Sequence, residues 1–152
     1  MKSRLIALIA AALVIVPAAS AATLTASESA LLSRMNAIRA VHGLRPLSAD
    51  DHLQRAAVAH SREMIATDVF AHGAFGARLA HFDVSGHVIG ENLAWGVGSE
   101  GTAAAVVAAW LASPEHRANL LRPGFTRVGV ASLSGTFEGH AGADVVTADF
   151  AG

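Results

Sequence analysis

Ser113-Pro114 forbids the chain between Ser99 and Leu121 from being one helix. A proline inside a helix removes a backbone hydrogen bond and clashes with the preceding turn, yet it suits the first position of a new helix. Ser113 is a good N-cap whose hydroxyl is expected to accept the backbone N–H of His116, and Glu115 meets the positive end of the helix. A short helix over Pro114 to Leu121 follows. His116 then lies in its first turn, beside the chain reversal, where a side chain can point into a cleft instead of along a helix flank.

The first residues read differently. Lys2 and Arg4 precede the twelve apolar residues Leu5 to Val16, and Pro17 to Ala22 supply the small residues of a cleavage site. This is the pattern of a secretory signal peptide over 1–22, cut near Ala21 or Ala22, and the run is short of the roughly 18 residues a spanning helix needs. The remaining 23–152 make one domain, large enough for a single core without staples. The chain has no cysteine, so an exported fold of this kind does without disulfides. Of 11 Lys and Arg, Lys2 and Arg4 leave with the leader, so nine basic residues face 12 acidic ones and the net charge is −3. The basic residues left are arginines scattered singly, which gives no footing for nucleic acid or for a polybasic membrane surface. A soluble monomer, periplasmic or secreted, with no stable membrane insertion is expected.

Along the chain, Thr25 to Glu28 fits a capping box, and Leu31, Met35 and Ile38 recur at helical spacing until Gly43. Ser48 to Asp51 cap a second helix running to about Thr67, with Leu53, Ala57, His60 and Met64 as its inward stripe. His60 is therefore expected in the core, hydrogen-bonded there and not a ligand. Phe70 to Gly73 ends that helical region, the next fifteen residues are loop-rich with one short helix, Glu91 to Trp95 is extended, and Ser99 to Ala112 is a third long helix that Ser99 or Thr102 caps. Thr126 to Leu133 and Asp144 to Phe150 alternate as paired antiparallel strands, separated by a polar turn punctuated by Gly135, Gly139 and Gly142. Trp95 and Trp110 each end an apolar segment and read as core anchors. The fold class is α+β, with helices on both faces of a small, mainly antiparallel sheet.

His72, Glu91 and His116 are the candidates for chemistry, because each stands at the end of an element or beside a glycine, outside the apolar stripes. Their spacing carries no metal signature of its own, with no H-E-x-x-H and no C-x-x-C. A hydrolase triad of Ser113, His116 and Glu91 lacks the G-x-S-x-G elbow and an oxyanion loop. His42, His52, His81, His87 and His140 look like surface or loop residues, with His81 and His87 nearest the mouth of any cleft.

Gly90-Glu91-Asn92-Leu93-Ala94-Trp95-Gly96 and the segment Trp110 to Val130, together with Asn36 and Arg39 one turn apart on the first helix, resemble the signature segments of the CAP superfamily (cysteine-rich secretory proteins, antigen 5, pathogenesis-related 1) in its short, cysteine-free bacterial form. The resemblance runs from about Leu31 to Phe150. It implies a three-layer α-β-α sandwich and a central cavity in which two histidines and two acids converge. His72, Glu91 and His116 match three of the four; where the eukaryotic pattern has the fourth, an acid three residues after the tryptophan, this chain has Ser113. The implied site is thus a cleft of His72, Glu91, Ser113 and His116, with His72, Glu91 and His116 as ligands of a divalent cation such as zinc that completes its shell with water. The function the resemblance implies first is an exported protein whose cleft binds a small or extended ligand, a lipid or a peptide. A secreted hydrolase that uses the same residues is the second reading, and a structural or interaction module with a polar network is the third.

Overall fold

The computed structural model describes residues 23–152; the leader reading for 1–22 lies outside the described residues. Helix α1 spans Ala26–Val41 and opens on the expected capping box, with the Glu28 N–H donating to Thr25 Oγ1 at 3.3 Å and the Thr25 N–H donating to Glu28 Oε2 at 2.8 Å. Strand β1, Ser48–Ala49, precedes helix α2, Asp51–Thr67. Here the structure corrects the expected cap. Ser48 and Ala49 pair in parallel with a later strand, and the N-cap is Asp50, which accepts the N–H groups of His52 and Leu53 at 3.0 Å each.

Helix α3 (Phe75–His81), strand β2 (Ile89–Val97) and a 3-10 turn over Gly98–Gly101 lead to helix α4 (Ala103–Ala112), capped by Thr102, and then to helix α5 (Pro114–Leu120). Strands β3 (Arg127–Phe137) and β4 (His140–Ala151) complete the described chain. The expected glycine-punctuated turn is far tighter than its sequence suggests. Both strands run through their glycines, and the reversal is made by Glu138 (φ 50°) and Gly139 (φ 77°) alone, the two left-handed residues of a hairpin turn whose twist matches the strands.

The sheet has the order β1-β3-β4-β2, antiparallel except for the short β1–β3 pair. Because side chains alternate across a strand, Val146, Ala148 and Phe150 of β4 face the core made with Leu31, Met35, Val107 and Trp110 from α1 and α4. Val145 and Ala151 face the other way, toward Met64 of α2 and Leu79 of α3. This is the expected three-layer arrangement. Helix α2 approaches β3 so closely that a Cβ on Gly129 would sit 2.0 Å from the Leu53 carbonyl carbon, so only glycine fits there.

Two polar side chains finish backbone ladders that the short β1 leaves open. Gln54 donates to the Val130 carbonyl at 2.7 Å and accepts its N–H at 2.8 Å, while Asn36 does the same for Leu47 at 2.9 and 2.8 Å. Arg39, fully buried, donates to the carbonyls of Arg45, Leu120, Arg122 and Phe125. The Asn36 and Arg39 pair is therefore a clamp on backbone. It ties α1 to the end of α5.

Candidate functional site

Strand β2 is an edge strand, and its residues Gly90-Glu91-Asn92 each have a separate task. A Cβ on Gly90 would lie 2.7 Å from the Phe125 ring, so glycine lets α5 and its following turn close on the sheet. Asn92 donates to the His116 carbonyl at 2.9 Å, and Asn119 donates to Asn92 Oδ1 at 3.0 Å and to the Glu91 carbonyl at 3.1 Å. Trp110 Nε1 donates to the Leu93 carbonyl at 2.9 Å. The outer carbonyls of this edge are thus taken by side chains from α4 and α5, which also blunts the edge against pairing with another chain.

The loop after α2 carries His72 and is held at several points. Asp68, in the left-handed conformation (φ 54°), accepts the Glu138 N–H at 2.6 Å. Phe70 packs edge-on against Phe137 with centroids 6.3 Å apart. His60 Nε2 donates to the Ala71 carbonyl at 2.9 Å, so His60 is the buried, hydrogen-bonded core residue its helical phase calls for. A site on such a loop is preorganised by the scaffold beneath it.

His72 and Glu91 meet directly. His72 Nδ1 lies 2.6 Å from Glu91 Oε1, and because an ionised carboxylate only accepts, Nδ1 is assigned the proton and Nε2 the lone pair. The His72 side chain is 59% exposed, that of Glu91 1%. The other Glu91 oxygen takes a hydrogen bond from Arg78 Nη2, with His60 Nε2 3.9 Å away. Directly opposite Glu91 in the sheet register stands Asp149, fully buried.

Two ionised acids so placed repel each other and have no proton to share, and neither Asp149 oxygen has a donor from the rest of the described protein. Burial pushes the Asp149 carboxyl well above its usual range, with Glu91 as the next cause and Arg78 and His72 opposing. Burial raises Glu91 as well, and there Arg78 leads the opposing effects. Burial and the neighbouring Glu91 thus favour the neutral form of Asp149, while Arg78 favours the charged form of Glu91.

His116 is half-buried. Burial lowers its pKa, helped by repulsion from the His72 ring whenever that ring is protonated and opposed by Glu115. No hydrogen bond joins its ring to His72 or Glu91 among the described residues; the three expected site residues divide into a bonded pair and a neighbour. Ser113 departs further from expectation. It stands at the α4–α5 junction in extended conformation, but its side chain makes no capping hydrogen bond, so the Arg117 N–H to Ser113 carbonyl bond at 2.8 Å opens α5 instead. Of the two histidines expected nearest the mouth, His81 ends α3 with its ring edge-on to Phe82, and His87 pairs through its backbone with Gly152.

Beside His116 lies a groove of about 330 Å³ lined by Phe70, Leu93, Ala94, Trp95, Ala109 and Trp110. Phe70 is exposed and Trp95 half-buried, resting on Phe137 and His140. Larger hollows of about 400 Å³ between α1 and α4 and about 490 Å³ on the outer face of α5 carry none of the His72 and Glu91 chemistry. The smaller groove is the candidate site because His116 lines it together with the Phe70 and Trp95 rings, and Phe70 stands two residues before His72 in the chain. Arg78, His60 and Asp149 belong to the same cluster and were not among the sequence candidates. The signal for Asp149 is visible in retrospect, an acid on the inward phase of a strand otherwise built from Val145, Thr147 and Ala151.

The donor set fits the implied three-ligand cation poorly. Both Glu91 oxygens are engaged, by His72 and by Arg78, which leaves the imidazoles of His72 and His116 as the free nitrogen donors.

Comparison with known proteins gives a consistent result. A model of the cysteine-rich secretory protein family (CAP) matches residues 32–150. The chain is 35% identical over 113 residues to the YkwD protein of Bacillus subtilis, covering 71% of this chain and 43% of that one. To the YlbC membrane protein of the same organism it is 36% identical over 111 residues, 70% of this chain and 31% of that one. The chain therefore spans less than half the length of the curated relatives it matches. Among solved structures, an extracellular SCP-domain protein of Bacillus anthracis superposes with a TM-score of 0.68 at 29% identity, over 82% of this chain and 40% of that one. An outer surface protein of Borrelia burgdorferi gives 0.68 at 25% identity, over 80% of this chain and 89% of that one.

Proposed function

The chain belongs to the cysteine-rich secretory protein (CAP) family, and from that premise we propose that it is an exported, monomeric ligand-binding protein whose groove takes a small or extended ligand, a lipid or a peptide. Support for export comes from the leader pattern over 1–22, from relatives described as extracellular or outer-surface proteins, and from the lack of any membrane-spanning helix among the described residues. The observation that carries the binding reading is the groove, where exposed Phe70 and half-buried Trp95 stand beside His116, next to the His72–Glu91 pair. An apolar part of the ligand packs on the two rings, at about 25 cal/mol per Å² removed from water. A polar part meets His116 and the free Nε2 of His72, which accepts a hydrogen bond while Glu91 fixes its ring.

The chain has two tryptophans, Trp95 and the buried Trp110, so Trp110→Phe leaves Trp95 as a single fluorescent reporter in the groove. Organic extracts of purified protein are screened by mass spectrometry, and recovered or candidate lipids and peptides are titrated against that reporter. Saturable quenching, weakened at least tenfold in the His72→Ala, His116→Ala double variant while its melt is nearly unchanged, is the expected result. No co-purified ligand and a silent Trp95 across both classes sink the reading. A large loss of stability in the double variant points to the structural module instead.

A second reading has its own observation. A histidine whose Nδ1–H is held by a carboxylate, with Nε2 open on a ring 59% exposed, has the geometry of a general base for water. Hydrolysis of an ester, peptide or glycoside panel that disappears in His72→Ala would favour it over binding alone.

A further inference from the structure

Arg78 sits in the seven-residue helix α3 with its neighbour Leu79 anchored in the core beneath. Its guanidinium is fixed from several sides. One nitrogen, Nη2, bonds Glu91 and lies 3.8 Å from Asp149 Oδ1; Nη1 donates to the His72 carbonyl at 3.2 Å; and the Phe75 ring lies 5.6 Å from its centre. The side chain is only 9% exposed, against two acids at 1% and 0%. A guanidinium keeps its charge at any pH a protein survives.

We infer that the guanidinium of Arg78 is the resident cation of this site, occupying against Glu91 and Asp149 the place a divalent metal would need. The acids are then balanced without a metal. A metal that sought Glu91 as a ligand would have to displace a buried, hydrogen-bonded arginine or accept a second positive charge beside it, and both weaken binding. The chemistry also explains why an acid at Ser113 is dispensable here, since the charge it would supply to a metal shell has no metal to serve. The apolar part of ligand recognition is a separate matter, because Phe70 and Trp95 take no part in the ion cluster.

The test uses zinc alone, on tag-free, chelator-treated protein at pH 7.5, read by calorimetry and by the melting temperature with and without zinc. Wild type and Arg78→Lys, which keeps a positive charge, should show no stoichiometric heat and no shift in melting. Arg78→Met should bind one zinc at least tenfold more tightly than wild type, and Asp149→Asn added to it should remove that gain. If Arg78→Met melts too low to titrate, zinc should raise its melting temperature, since a metal that binds only the folded state stabilises it. Stoichiometric zinc binding by wild type that falls tenfold in His72→Ala overturns the inference. So does an Arg78→Met protein that gains neither zinc affinity nor zinc-dependent melting. None of these arms depends on Trp95, so a failed search for the groove ligand leaves the result readable.

Discussion

The two faces of strand β4 are built from neighbouring residues and solve different problems. Val146, Ala148 and Phe150 meet apolar groups of α1 and α4, with Phe150 stacked on Phe125 at 5.2 Å. On the other face, Val145 is followed by Thr147, bonded to Ser61 at 2.8 Å, and then by Asp149. The first face is held mainly by packing, so large losses of volume there are costly. The second places hydroxyls and charges where every partner must be present, a costly arrangement that fixes one geometry. The site grows out of the second face, and the first supplies the stability that lets it exist.

The largest expected effect tests the apolar face. Trp110→Ala removes the biggest side chain of that core and its bond to the Leu93 carbonyl, and chemical denaturation should show a loss of about 3 to 5 kcal/mol. A loss under about 1 kcal/mol would mean the two faces do not differ as described.

Asp149→Asn tests the polar face through pH. An acid whose folded pKa is raised binds its proton more tightly folded than unfolded, so its contribution is fully present below about pH 3.8, the unfolded value, and is lost as pH rises through the folded value. Stability of the wild type should therefore decline relative to the asparagine variant from about pH 4 upward. His60 and His116 act in the opposite sense. Their folded pKa values are lowered, so their contribution is present above about pH 6.5 and is lost as pH falls below it. Denaturation midpoints from pH 4 to 8 check both slopes; parallel curves for wild type and variant would show that Asp149 is ionised in the fold.

The smallest effect is expected at Ser113→Ala. With no hydrogen bond from its hydroxyl, the change should stay within about 0.5 kcal/mol, whereas a working N-cap would cost about 1. A cost of that larger size in thermal melts would restore the capping role.

These outcomes follow the line between what the sequence made legible and what it hid. Helix starts at Thr25 and Pro114 depend on residues a few positions apart, so local chemistry announces them, whereas the pairing of Ser48 and Ala49 with β3 shifts the start of α2 to Asp50. His72, Glu91 and His116 stand out because each reads as lying at the end of an element or beside a glycine. Arg78 and Asp149 do not, since an arginine in a loop-rich stretch and an acid in a strand gain their meaning only when β4 pairs with β2 and α3 folds over both. Gly135 misleads for a related reason: it reads as a turn residue, but a Cβ there would meet Ile65 of α2 at 2.7 Å.

The place of β4 in the sheet has a consequence for how the chain comes into being. It lies between β3 and β2 and follows every other described element in the chain. A ribosome therefore releases β2 well before the only strand it pairs with, and β3 has no antiparallel partner until the hairpin at Gly139 has emerged. The helices need only local contacts, whereas the β2–β4 and β3–β4 pairings both wait for residues 140–151.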